Sequence, residues 1–319
     1  MAVVVTITVS GTNVDFPVWI DLVDGEIAAG ARPDGSDLQF TSLDGTAIPG
    51  EIQRWDPATG HLTAWVKLAA LAQGADTVFY VRYGVAASSP QPVFTNGFAA
   101  VWHLDDPLTT SEVAESTATR PGTASGGLDP THQVAAKLGG GIAFDGVADQ
   151  IQFTNPLIGG GPHTISAWVD SRTSTTYNTI VMVGTGAMNQ SRWFHAHYVT
   201  NGVAVGFFGN DWDTGSNVEN AGWTLLHWVF NGSTGVSRLY HNGVLIGTHP
   251  NAAGIATQGA GGYIGFAPSL WGMCAFTGVL DEARIATVVR SASWVATEFA
   301  NQSAPATFYS VGAEATLPP

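Results

Sequence analysis

The chain has 319 residues, 39 of them glycine, and 45% are hydrophobic, which leaves room for two domains with sizeable cores. Charged residues make up only 11%, yet the formal net charge is −14 and just two lysines occur, Lys67 and Lys137. Abundant aromatics argue against a disordered chain, and the acidity argues against nucleic-acid binding, which needs Lys and Arg to meet phosphates.

The N-terminus, Met1–Gly11 (MAVVVTITVSG), opens directly into strand alternation. It has no basic region, long apolar core or cleavage site, so no signal peptide is predicted. No apolar run reaches the roughly 18 residues of a membrane span, so no membrane insertion is expected. Strands are predicted at residues 3–9, 16–23, 51–55, 61–68 and 77–83, with Asp56-Pro57-Ala58-Thr59-Gly60 as a hairpin turn. They build a small β-sandwich over 1–88, followed by a Pro-rich linker over 89–96.

The second domain, 97–319, reads as a succession of short strands with one helix at Ser291–Asn301 and a final strand at Phe308–Gly312. Its clearest segment is Ala221–His249. The apolar run Trp223–Phe230 and the β-formers Arg238–Tyr240 and Val244–Ile246 are separated by Asn231–Gly235 and by His241-Asn242-Gly243. Asn-Gly supplies the positive φ angles of a tight turn between twisted strands. Trp168, Trp223 and Trp228 lie inside strand patterns and are expected in the core. Cys274, the single cysteine, sits in WGMCAF; it excludes an intrachain disulfide and reads as a small buried hydrophobe.

The Trp–His–hydrophobic run, polar turn and Tyr240-x-Asn242-Gly243 resemble the concanavalin A-like, laminin G-like sandwich family. Val101–Pro107 (VWHLDDP) resembles its first strand, and Val279–Ala286 (VLDEARIA) its last core strand. Upstream, Asp34-Gly35-Ser36-Asp37-Leu38-Gln39-Phe40 is similar to a motif of a small uncharacterised domain that commonly precedes it. The resemblance implies an all-β fold: a small N-terminal sandwich, then a concanavalin A-like jelly roll that mostly binds glycans.

Candidate site residues follow from alternation. On the strand Arg192–Tyr198, the side chains of Trp193, His195 and His197 share one face, while Phe194, Ala196 and Tyr198 share the other and are expected in the core. An aromatic ring beside polar rings suits a glycan, whose C–H faces stack and whose hydroxyls hydrogen-bond. Asn210, Asp211 and Trp212, in a polar loop, and Trp271, in another, are added to that expected glycan site; Trp212 reads equally as a plug over the end of the sandwich. His-x-His also suits a transition metal, without an evident third ligand. The resemblance implies a structural calcium between Asp105 and Asp281.

No Glu-x-Asp-x-x-Glu or similar pattern, as a glycosidase on this sandwich would carry on one central strand, occurs, and there is no Gly-x-Ser-x-Gly elbow or phosphate loop. The expected function is a non-catalytic glycan-binding adhesin of a phage or phage-derived particle, a head spike or tail fibre component. It would sit on the virion surface or outside the cell, with host capsule or surface polysaccharide as ligand and a homo-oligomer as one assembly open to it. The N-terminal domain would contact other virion or spike proteins. The alternatives are a polysaccharide-degrading enzyme and a structural module of a bacterial surface protein.

Overall fold

The computed structural model describes residues 2–7, 11–85, 91–172, 177–198, 202–269 and 272–314. The chain is all-β and divides into two compact units: Met1–Asn96 with Ser291–Pro319, and Gly97–Arg290. Assigning everything after residue 96 to the second domain is therefore corrected at the C-terminus.

Pairing explains why the tail belongs with the first unit. The strand Tyr309–Val311 adds to Ala2–Ile7, with Ile7 opposite Tyr309, at the edge of a five-stranded antiparallel sheet. The helix Ala292–Ser303 is capped by Ser291, whose hydroxyl accepts from Trp294 N–H. It serves the edge strand Asn13–Val23 of a separate three-stranded sheet. Asn301, fully buried, accepts from Trp19 N–H at 2.7 Å and donates to Trp19 C=O at 2.9 Å. One amide thus satisfies a donor and an acceptor that an edge strand leaves unpaired. Phe16 meets Trp294 at 4.6 Å between ring centroids, and Trp19 meets Trp65 at 5.0 Å. A helical turn at Gly25–Gly30 was not expected; Asp24 initiates it by accepting from Glu26 and Ile27 N–H.

The second unit is a sandwich of two eight-stranded antiparallel sheets. The back sheet contains His163–Ser171, Thr224–Asn231, Val236–His241 and Val244–Pro250, so the Ala221–His249 segment forms three consecutive strands. Asn242 (φ 49°) and Gly243 (φ 81°) make the tight turn between the last two. The front sheet includes, towards one edge, Asn178–Gly184, Ser191–His197, Ala204–Gly206 and the edge strand Asp211–Asp213.

Between the sheets lies the main core, where Phe194, Phe207 and Phe230 gather around Trp228 with Phe207 5.3 Å from it. Trp168 is buried but alternates out of that core, with Lys137 Nζ 5.2 Å from its ring, and Trp223 is only half-buried. Cys274 is buried. It belongs to a second apolar cluster with Met182, Trp193 and Ala267, edged by Tyr177, Phe208 and Tyr263. Met182 and Trp193 alternate with core residues on their strands, so this cluster covers the outer face of the front sheet.

Candidate functional site

Three paired positions lay out the outer face near the sheet edge. Trp193 stands opposite Gly206, and Gly206 opposite Asp211, so these three residues form one row across three strands. The next row, Phe194, Val205 and Trp212, faces the core. Side chains of adjacent rows point to opposite sides of the sheet.

A cavity of about 360 Å³ opens on the outer face. Tyr177, Trp193, His195, Tyr198, Phe208 and Asp211 line it, over a floor of small residues that includes Ala204, Gly206 and Gly209. The rings form a continuous run. Phe208 lies 5.4 Å from Trp193, Trp193 5.4 Å from His195, His195 5.6 Å from Tyr198, and Tyr198 4.9 Å from Tyr177.

The geometry at the rim depends on one carboxylate. Phe208 has φ 61°, a left-handed conformation that is costly for a bulky side chain. Asp211 accepts from Phe208 N–H at 3.0 Å and from Gly209 N–H at 2.9 Å, holding that turn. A Cβ at Gly206 would come within 2.6 Å of Asp211 Cα, so the close approach of the edge strand requires glycine there. Asp211 is exposed as a residue, but desolvation of its carboxyl group raises its pKa above the ordinary carboxylate value, against the two N–H donors.

His195 is buried and stays neutral: desolvation, then the neighbouring His197, hold its pKa down at about 3. Its Nδ1 lies 3.0 Å from Thr179 Oγ1. Burial first, and then Asp211, push the Tyr198 phenol up to about 12, which keeps it a hydroxyl donor. The Trp193 indole N–H is satisfied by Ser191 Oγ.

The site predicted from sequence is thus partly assembled. Trp193 and His195 do line one cavity with Asp211, but Trp193 is 7% exposed and His195 2%, so neither is an open platform. His197 is also buried, with Nδ1 3.1 Å from Glu219 Oε1, and lies outside the lining. Trp212 faces the other way: it packs against the core and stacks on His249 at 5.5 Å with 11° between planes, as a plug between the sheets. Asn210 is engaged in the turn, donating to Asn189 Oδ1 and Ala252 C=O and accepting from Ala252 N–H. Trp271 lies outside the described residues.

Tyr198, expected in the core, lines the cavity instead, because the strand ends at His197 and the alternation stops there. Tyr177 and Phe208 were missed. Phe208 had a usable signal, since adjacent Phe207 and Phe208 on one extended stretch cannot both face the core.

The Asp105–Asp281 pair supplies little to a cation. Asp281 is fully buried with Oδ2 accepting from Leu138 N–H at 2.7 Å, its Oδ1 without a hydrogen-bond partner among the described residues, and Asp105 is exposed. Among the described residues no group of three or more His, Cys, Asp or Glu side chains is placed to hold a metal ion. The pair does not fit calcium, which takes six to eight oxygens.

A separate, partly buried network has the order of a nucleophile, base and acid. Ser116 Oγ lies 2.8 Å from His103 Nε2, and His103 Nδ1 lies 2.7 Å from Glu282 Oε1. Its surroundings are those of a structural clasp. Glu282 Oε2 is held by Arg284 Nη2 at 2.7 Å. The backbone N–H groups after Ser116 are spent on Glu115: Thr117, Thr119 and Arg120 donate to its carboxylate and Ala118 to its carbonyl. An acyl-transfer site instead aims such donors at a developing oxyanion.

Residues 145–296 match the model of the concanavalin A-like lectin/glucanases superfamily, and residues 34–114 match that of DUF2341, a domain of unknown function. The chain carries a concanavalin A-like domain behind a DUF2341 domain. Among solved structures, domain 4 of a GH43 extracellular arabinanase from Geobacillus stearothermophilus, in complex with arabinotriose, is 21% identical with a TM-score of 0.50; the match covers 64% of this chain and 98% of that one. The binding domain of Paraclostridial Mosquitocidal Protein 1 is 15% identical with a TM-score of 0.50, and the match covers 64% of this chain and 52% of that one. The concanavalin A-like domain shares its fold with both. No curated protein matches the sequence.

Proposed function

We propose that the concanavalin A-like domain is a non-catalytic glycan-binding module whose ligand enters the aromatic cavity on the outer face of the front sheet. The observation that carries this is the unbroken run of rings from Phe208 to Tyr177 around a cavity of about 360 Å³, with Phe208 held in a strained conformation beside it. Rings offer stacking faces to sugar C–H groups, while the Tyr198 hydroxyl and the Asp211 carboxylate are placed to take sugar hydroxyls. The arabinanase domain with arabinotriose supports the reading, since an oligosaccharide is held there on the same fold.

The finer proposal is an adhesin on a phage or phage-derived particle, attaching to host capsule or surface polysaccharide. In it, the DUF2341 domain contacts other virion or spike proteins, and display of many copies raises a weak site affinity by about 10²–10⁴. Glycan-array binding by the wild type, lost in Tyr198→Ala and Phe208→Ala variants that still melt cooperatively, is the expected result. Binding that survives both substitutions would place the ligand elsewhere. New reducing ends on incubation with host polysaccharide would replace the adhesin by a depolymerase.

A further inference from the structure

We infer that the aromatic cavity is selective for a cationic substituent, a trimethylammonium group of the choline type, carried by the ligand. This rests on the reading of the cavity as the ligand site and specifies what enters it. The rings of Tyr177, Trp193, Tyr198 and Phe208 line one concavity with the carboxylate of Asp211, and no Lys or Arg is among the described residues of the lining. An alkylammonium ion is attracted to the negative faces of aromatic rings within about 6 Å of their centroids, and desolvation inside a cavity strengthens that attraction.

The charges present act in one direction. Asp211 is the acidic group of the lining, and Asp213, two positions along the same strand, adds to the field felt by Tyr198. His195 contributes no opposing positive charge, because burial keeps its ring neutral. The whole chain is acidic, at −14, which favours approach of a cation over that of an anion. A uronate or sialate carboxylate would meet Asp211 with no cation among the described lining residues to offset the repulsion.

A quaternary ammonium also suits this wall chemically better than a primary amine. It has no N–H donors to satisfy, and the wall offers ring faces, Ala204 and glycines, with Asp211 as a charge at the rim. The cavity of about 360 Å³ leaves room for the chain that links such a group to a saccharide.

The test titrates the whole protein with choline, with tetramethylammonium and with 3,3-dimethyl-1-butanol, the uncharged isostere of choline, following tryptophan fluorescence. The expected result is binding of both cations with about tenfold preference over the isostere. That preference should shrink in Asp211→Asn and fall as salt is added to the wild type. Equal binding of choline and the isostere overturns the inference, and so does the absence of cation binding. If neutral glycans still bind and Tyr198→Ala abolishes that binding, only the cation selectivity has failed. If neither cations nor glycans bind, the cavity is not a ligand site and both readings fall. The salt and isostere comparisons use the wild type alone, so they decide the matter even if Asp211→Asn misfolds.

Discussion

Asp211 holds Phe208 in a left-handed backbone conformation by accepting the N–H groups of Phe208 and Gly209 at 3.0 and 2.9 Å. A bulky residue kept there costs on the order of 1–3 kcal/mol, which neighbouring contacts must offset. Phe208→Gly removes the ring and the strain together. Its stability loss should therefore fall below the roughly 3–5 kcal/mol of a buried Phe truncation, while ligand binding at the cavity is lost. Gly206→Ala should also abolish binding, because the new Cβ displaces Asp211. Thermal melting paired with glycan-array binding checks both; normal binding by either variant would remove this turn from the site.

Trp193 and Trp212 separate two kinds of tryptophan that the sequence makes look alike. Trp193 is a wall of the cavity and also part of a buried cluster, so Trp193→Ala should lower stability by roughly 3 kcal/mol and weaken binding. Trp212→Ala removes a stack on His249 at the sandwich edge and should lower stability with binding unchanged. Loss of cavity binding in Trp212→Ala, with its fold intact, would contradict the assignment of its face.

Most of the architecture was legible because it rests on local rules. Asn242-Gly243 announces its turn, and the β-formers either side pair as antiparallel strands. The return of the C-terminal helix to the first unit was not legible. It depends on Asn301 finding the backbone of Trp19, a pairing across 282 positions with no periodic trace. The site was half legible for a similar reason. Alternation put Trp193 and His195 on one face, but the edge strand Asp211–Asp213 resembled a loop, and its register decides that Asp211 faces the cavity while Trp212 does not. The end of alternation after His197 concealed Tyr198 in the same way.

His195 should make stability fall with acid. Its folded-state pKa, about 3, lies below the 6.5 of an unperturbed histidine, so the unfolded chain takes up the proton first. The stabilisation is complete above about pH 6.5 and is lost towards pH 3, at up to about 1.4 kcal/mol per pH unit. His163 and His241, also lowered by burial, act with the same sign. Asp281 acts oppositely: burial, then Glu282, raise its carboxyl, whose contribution is lost as pH rises. The measurement is therefore a difference. The drop in melting temperature between about pH 7 and pH 5 should be smaller in His195→Asn than in wild type, and an equal drop would refute the assignment.

Chelation should leave the melting temperature unchanged, since the Asp105–Asp281 pair does not fit a calcium ion. A drop in chelator that disappears in Asp281→Asn would show that the ion is held after all. Bound ligand stabilises by mass action, so a site a hundredfold saturated would register as about 2.7 kcal/mol.

The Ser116–His103–Glu282 network is expected to be a fastening and not a catalytic relay. Glu282 is 3% exposed and also in a left-handed conformation (φ 54°), which lets one carboxylate reach both His103 and the buried guanidinium of Arg284. Glu282→Gln leaves Arg284 without that counter-charge and should lower stability by about 3–5 kcal/mol. Ser116→Ala deletes the hydroxyl that meets His103 and should lower it by about 1 kcal/mol. An alkyl fluorophosphonate, which phosphonylates activated serines by displacing fluoride, should leave the wild-type protein unlabelled, because the adjacent N–H groups that would stabilise the oxyanion are bound to Glu115. Labelling that disappears in Ser116→Ala would instead establish a nucleophilic serine, and with it an enzymatic function for this domain.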